Sequence, residues 1–320
     1  MARALGVTTS PWAQRRRRAA ELIERWPFAA ELLTFYAALL EVQEERWAQA
    51  RIDLPTRSNV VSYTGANVLR QIVDVTMAHG PVKLAGSVAE IFHEFNFEEQ
   101  AETWLRGDAI APVDRYLVRA SVGPVLEAIG IASDSAIGSS SNSARSGAHD
   151  ERRCPRCGGL PQLSYFATSA EDLVTPQRFL ECERCATSWA YPRMTCAACG
   201  ETKTDLLPIF GEQGTLQAEL GGRVIRQHGT SQNGAPQNGA SKNSTLQTDG
   251  EPQAPSAQEA PRFRHLRIDG CHACAHYLLT IDLGRDPQAV PVVDELAAIP
   301  LDLYAKEHGM TKIVPNLMGF

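Results

Sequence analysis

Apolar side chains recur at helical spacing through the first part of the chain. Leu22, Ile23 and Trp26 share one face, and Leu32, Phe35, Tyr36, Leu39 and Leu40 repeat the pattern up to Trp47. Pro27 stands between the two runs, as a first-turn residue does after a break. A polar stretch around residues 55–62 interrupts. A later helix carries Leu84, Val88, Ile91, Phe92 and Phe95 on one face, and a shorter one starts after Pro112 with Val113, Tyr116, Leu117 and Ala120 facing inward. Pro124 is expected to begin the next helix, because proline suits a first turn and breaks an interior. Residues 1–132 therefore read as an all-α domain. Residues 133–150, rich in Ser, Gly and Asn, read as a flexible linker.

After the linker the period shortens. Leu163, Tyr165 and Phe166 suggest an outgoing strand, residues 178–181 a returning one, and Thr187 to Tyr191 an alternating one with Trp189 placed to cover a site. The plan then repeats: Leu206 to Phe210 goes out, Phe263 to Ile268 returns, and Tyr277 to Ile281 follows. Inside the second loop, His228 to Pro261 is rich in Gly, Ser, Asn, Gln and Pro and has no apolar period. Such a segment buries too little surface to offset its ordering entropy, and a hairpin tolerates it because loop entropy grows only logarithmically with length. It reads as a disordered insertion of about residues 211–262. From Asp286 the chain becomes helical again, with Val292, Val293, Leu296, Ile299, Leu301 and Leu303 beside Asp294, Glu295 and Asp302. This stripe reads as a helix packed on the second ribbon, with a partner surface of acidic edges as its functional alternative. The expected architecture is α+β: the helical domain, a first ribbon at 151–192, and a second at 193–320 that includes the insertion and a C-terminal helix.

The chain has 320 residues, of which 43% are hydrophobic, so a sizeable core can form. Its net charge of -6 argues against an extended basic surface for nucleic acid. No run approaches the roughly 18 apolar residues that span a bilayer, so no membrane insertion is expected. The basic run from Arg15 to Arg18 is followed by an amphipathic stretch rather than an apolar one, and reads as a solvated helix face.

All the chemistry of the sequence lies in eight cysteines, in four Cys-x-x-Cys pairs: Cys154 with Cys157, Cys182 with Cys185, Cys196 with Cys199, and Cys271 with Cys274. Two sulfurs on one tight loop grip a metal ion from the same side, and two such loops close a tetrahedral shell. Pairing consecutive loops gives two four-cysteine sites, each suited to iron or zinc and poorly suited to magnesium or calcium. Disulfides fit less well, since the ring closed within one Cys-x-x-Cys is strained. Thioredoxin-like chemistry needs one pair between a strand and a helix. Reduced cysteines with no export signal suggest the cytoplasm. His265, His272 and His276 lie near the second site in sequence, but four thiols already fill it. His79 and His93 are isolated, and the place four residues after His93 is Phe97, so a zincin motif is incomplete. There is no Gly-x-Ser-x-Gly, phosphate-binding loop or dinucleotide fingerprint, so the protein reads as a non-enzyme.

Several of these residues carry a resemblance. An N-terminal helical domain, Cys154-Pro-Arg-Cys157-Gly158, a second knuckle followed by Trp189, a third soon after and a fourth before Tyr277-Leu278-Leu279 resemble the formate dehydrogenase accessory proteins of the FdhE family. The closing segment, with Asp286-Pro287, Val292 to Ala297, Leu301-Asp302 and Gly309, is similar as well. The resemblance implies two rubredoxin-like or zinc-ribbon sites on the eight cysteines, with iron associated with some members. It also implies a cytoplasmic helper that binds the catalytic subunit of formate dehydrogenase before export; it implies no oligomeric state. A rubredoxin-like electron carrier and a zinc-ribbon nucleic-acid binder are the competing functions.

Overall fold

The computed structural model describes residues 10–136, 150–168, 175–212, 223–225 and 262–320. Helix α1 (Pro11–Arg25) starts at Ser10, whose hydroxyl accepts from the Trp12 amide at 3.2 Å, with proline at the first helical position. A 3-10 turn at Pro27–Ala29 leads into α2 (Ala30–Asp53). The helices α3 (Val60–Asn67), α4 (Leu69–His79), α5 (Val82–Ile91) and α6 (Phe97–Arg106) follow. Asn96 caps α6, and Gly107 closes it at φ 96°, a left-handed conformation that glycine adopts without strain.

Helix α7 (Pro112–Ala136) departs from the expectation at Pro124, which lies inside it rather than at the start of a new helix. Proline has no amide hydrogen, so the carbonyl four residues earlier loses its partner. That carbonyl is Ala120 O, and the buried Gln43 side chain of α2 donates to it at 2.8 Å. A neighbouring helix thus supplies the bond that proline removes. The helix runs on to Ala136, into the expected linker; residues 137–149 of that linker lie outside the described residues.

The strands are β1 (Pro161–Phe166), β2 (Arg178–Cys182), β3 (Ser188–Ala190), β4 (Ile209–Glu212), β5 (Arg223–Ile225), β6 (Leu266–Cys271), β7 (His276–Asp282) and β8 (Thr311–Lys312). They form one sheet in the order β3-β2-β1-β7-β6-β4-β5, with β8 also on β7. Thr204–Leu206 is a 3-10 turn, so the outgoing strand of the second ribbon begins at Ile209 rather than Leu206. Arg223–Ile225 pairs in parallel with β4, so part of the expected disordered insertion is ordered strand. Residues 226–261 lie outside the described residues.

Strands β1 and β7 join the two ribbons. They run parallel, Ser164 faces Thr280, and the two hydroxyls meet at 2.6 Å. The ribbons, expected as a first unit at 151–192 and a second at 193–320, are therefore halves of one sheet. Helices α8 (Pro291–Ala297) and α9 (Ile299–Glu307) complete the chain, and one buried core runs through Leu22, Leu39 and Leu117 of the helices into Leu163, Leu279 and Leu296. Burying such side chains contributes about 1.5–3 kcal/mol each.

Ion pairs sealed inside this core tie its layers together. Asp294, Glu295 and Asp302 are 0% exposed, so the stripe they border is no acidic partner surface. Lys312 of β8 pairs with Glu295 and, at 3.0 Å, with Asp302, while the Tyr277 hydroxyl donates to Asp302 at 2.8 Å. Gln162 of β1 donates to Glu295 at 2.9 Å and accepts from Arg119 of α7. The basic run of α1 is not a solvated face either: Arg15 meets Glu127 of α7 at 2.9 Å, Arg16 meets Glu44, and Arg18 is buried against Asp294. Unpaired, such charges would cost several kcal/mol each to bury, so each long-range pair fixes where its elements sit.

Candidate metal centres

In three of the four Cys-x-x-Cys loops the first cysteine carbonyl accepts from the amide four residues on, closing a tight turn. Gly158 N donates to Cys154 O, Ala186 N to Cys182 O and Gly200 N to Cys196 O, at 2.9, 3.2 and 2.9 Å. In all four loops the residue four places after the first cysteine has positive φ: Gly158 at 74°, Ala186 at 53°, Gly200 at 83° and Ala275 at 56°. Two knuckles use glycine, which takes this conformation freely, and two carry alanine in a region costing about 1–2 kcal/mol for an L residue.

These turns bring the thiols together in the two sets expected from sequence. Cys154, Cys157, Cys182 and Cys185 form one cluster, Cys196, Cys199, Cys271 and Cys274 the other, and within each all sulfurs lie within 4.8 Å of one another. Sγ atoms of Cys154 and Cys185 are 3.7 Å apart and those of Cys157 and Cys182 3.3 Å; in the second cluster the Cys196–Cys274 and Cys199–Cys271 separations are 3.8 and 3.7 Å. A tetrahedron with metal–sulfur bonds of about 2.3 Å has edges of about 3.8 Å. The donor sets therefore fit a tetrahedral zinc or iron ion. Backbone amides of Arg184 and Ala198 point at the Cys182 and Cys196 sulfurs at 3.4 Å, and such N–H···S contacts favour thiolate over thiol.

The two centres differ in their surroundings. In the first, Cys154, Cys182 and Cys185 are buried, and Arg184 from the loop between Cys182 and Cys185 reaches the helical domain. Its guanidinium donates to Leu105 O at 3.0 Å and Trp104 O at 2.9 Å, carbonyls at the C-terminal end of α6, and lies 5.2 Å from the Trp104 ring centroid. Trp189 is tied to the Glu151 carbonyl, just ahead of the first knuckle. In the second, Cys199 is exposed and Cys274 half-buried. His272 is exposed, and His276 Nδ1 lies 2.7 Å from the Cys274 carbonyl. His265 is elsewhere, with its Nε2 2.8 Å from Asp294 and its ring stacked on Trp26. Arg184 was missed in the sequence because it occupies a free position within a Cys-x-x-Cys loop, and nothing local marks its partner eighty residues upstream.

Comparison with known proteins places the likeness in the two cysteine-bearing segments. Residues 153–193 match the model of the FdhE central domain, and residues 252–318 match that of the FdhE C-terminal domain. Over these two segments the chain is similar to FdhE-family proteins. A protein described as FdhE homolog from Aquifex aeolicus is 29% identical over 167 residues, which is 52% of this chain and 41% of that protein. Another from Pseudomonas aeruginosa is 26% identical over 165 residues, 52% of this chain and 38% of that one. The matched stretch is thus less than half of either relative's length. The crystal structure of the FdhE protein from Pseudomonas aeruginosa shares the fold: TM-score 0.58 and 20% identity, covering 97% of this chain and 96% of that one. Among the described residues no helix is long and apolar enough to cross a membrane.

Proposed function

We propose that this chain is an FdhE-family protein, a non-catalytic accessory factor needed for active formate dehydrogenase, and that it binds the enzyme's catalytic subunit in the cytoplasm before export. In this reading Cys154, Cys157, Cys182 and Cys185 hold one iron or zinc ion, and Cys196, Cys199, Cys271 and Cys274 hold another. The observation that carries it is the closure of both clusters. Four thiols fill a tetrahedral shell, so a bound ion would keep no open position for a substrate and would stabilise the fold instead. Helical domain and ribbons, buried against each other, would then offer a partner one rigid surface.

The exposure of Cys199 favours one second reading, a rubredoxin-like electron carrier, because an exposed ligand brings the ion close to a partner's surface. Two measurements separate the readings. A strain lacking the gene, complemented with wild type or with Cys274→Ser, is assayed for formate oxidation, and tagged wild type is used to capture the catalytic subunit. The accessory role predicts inactive enzyme polypeptide without the gene, restoration by wild type alone, and capture of the subunit. Full activity in the uncomplemented strain, with reversible iron redox in the purified protein, would return the electron carrier.

A further inference from the structure

The C-terminal segment folds back over the start of α7, and a cavity of about 130 Å³ lies between them. Roughly 10–15 Å³ of such space holds one water, so there is room for a ligand of several heavy atoms. Leu84, Val113, Leu317 and Met318 give it an apolar side. Its polar side is formed by Arg115, Arg119 and Asn316, with Pro112 at the first turn of α7 beside them.

Among the described residues, those polar groups are donors with no acidic partner within ion-pair distance. The half-buried Arg115 guanidinium makes no hydrogen bond or ion pair among the described residues, and burial together with the neighbouring Arg119 charge lowers its pKa. Arg119 donates to two neutral acceptors, Pro315 O at 2.7 Å and the Gln162 side-chain oxygen. Asn316 is 2% exposed; its Oδ1 accepts from the Met318 and Phe320 amides at 3.0 and 3.1 Å, which fixes the amide and leaves Nδ2 with no partner among the described residues. Glu183 adds a weak negative charge to Arg115 from beyond ion-pair distance, and Asp114 does not line the cavity. Buried donors in native proteins are nearly always satisfied, so an orphan amide beside an unpaired guanidinium points to an absent acceptor. The positive end of α7 adds to the same potential.

We propose that this cavity binds a small aliphatic monocarboxylate, its carboxylate on Arg115, Arg119 and Asn316 Nδ2 and its short hydrocarbon tail on Leu84, Val113, Leu317 and Met318. A planar carboxylate matches a guanidinium fork with two parallel bonds, and the apolar walls suit a tail. A phosphate dianion would present more acceptors than the three groups can serve and would set them against an apolar wall.

The test titrates the full metal-loaded chain with sodium butyrate by calorimetry, at constant ionic strength, with 1-butanol and inorganic phosphate as parallel probes. The expected result is saturable one-site binding of butyrate, a loss of about tenfold or more in affinity for Arg115→Met with partial recovery in Arg115→Lys, and no binding of butanol. Leu84→Trp, which fills the apolar side and leaves the arginines in place, is expected to abolish binding with metal content unchanged, and it decides the matter where Arg115→Met fails to fold. Absence of saturable binding up to about 10 mM butyrate overturns the proposal. So does binding undiminished in Leu84→Trp, or phosphate bound as tightly as butyrate.

Discussion

Arg18 and Asp294 stand 276 positions apart in the chain and meet inside it, guanidinium Nη2 to carboxylate Oδ1 at 2.6 Å, with Nε adding a second contact at 3.0 Å to Oδ2. Neither side chain is more than 1% exposed. The same guanidinium reaches Asp286 at 2.7 Å, and Asp294 also meets His265 and accepts from the Val290 amide at 2.8 Å. Burial alone would lower the pKa of Arg18, but the hydrogen bonds and charges of Asp294 and Asp286 win and raise it. The pair fastens α1 to α8 and so the helical layer to the sheet layer.

Removing one partner strands the other's charge in the core. Arg18→Met is expected to cost about 3–5 kcal/mol of stability, measured by urea unfolding of the metal-loaded protein. The double variant Arg18→Met/Asp294→Leu is expected to lose less than the sum of the two single losses, because it leaves no uncompensated charge between them. Additive losses would show that the pair does not act as a unit.

Asp286 carries the acid sensitivity of this junction. Burial pushes its carboxyl up, but the hydrogen bond and charge of Arg18 prevail and hold it below the ordinary 3.8. A depressed folded-state value means that its contribution is fully present above the unfolded value and is lost as the pH falls through the folded one. The stability difference between wild type and Asp286→Asn should therefore be constant near neutral pH and shrink below about pH 4, as read by denaturant midpoints. A difference that grows on acidification would contradict the pairing.

Ion release should distinguish the two centres. With Cys199 exposed at one and three buried thiols at the other, a chelator is expected to take the ion held by Cys196, Cys199, Cys271 and Cys274 first. The measurement is chelator absorbance against time on protein loaded with two ions: two phases are expected, and Cys199→Ser should abolish the fast phase and keep the slow one. A single phase carrying both ions would show that the centres are coupled through the sheet.

Gly159 tests the packing of the first centre. A Cβ there would lie 2.9 Å from Cys182 Sγ and 3.0 Å from Arg184 Cδ. If each cluster holds one ion as proposed, Gly159→Ala is expected to lower metal content from two ions per chain towards one and to loosen Arg184 from α6. Gly158→Ala has open space around it and is strained only by its φ of 74°, a conformation that Ala186 and Ala275 already adopt. It should keep both ions at a cost of about 1–2 kcal/mol. Metal analysis with thermal unfolding of both variants separates a steric effect on the sulfur from backbone strain.

The sequence by itself determined the features whose causes are local. Four Cys-x-x-Cys loops, with Gly158 and Gly200 at their tight turns, announce two four-sulfur clusters, because a knuckle is built within six residues and needs nothing from elsewhere. Helical periodicity likewise announced that the N-terminal region is helical. Tertiary structure decided what depends on distant partners. Pro124 stays in its helix because Gln43, on another helix, takes the carbonyl it frees. Arg18 and Asp294 look like surface charges in any local window and are buried because each neutralises the other. Arg223 to Ile225 becomes strand because β4 offers an edge, and the two ribbons become one sheet because Ser164 and Thr280 lie opposite each other. A residue's composition and neighbours set its local conformation, but whether a charge, a proline or an edge is tolerable depends on what the rest of the chain brings to within hydrogen-bonding distance.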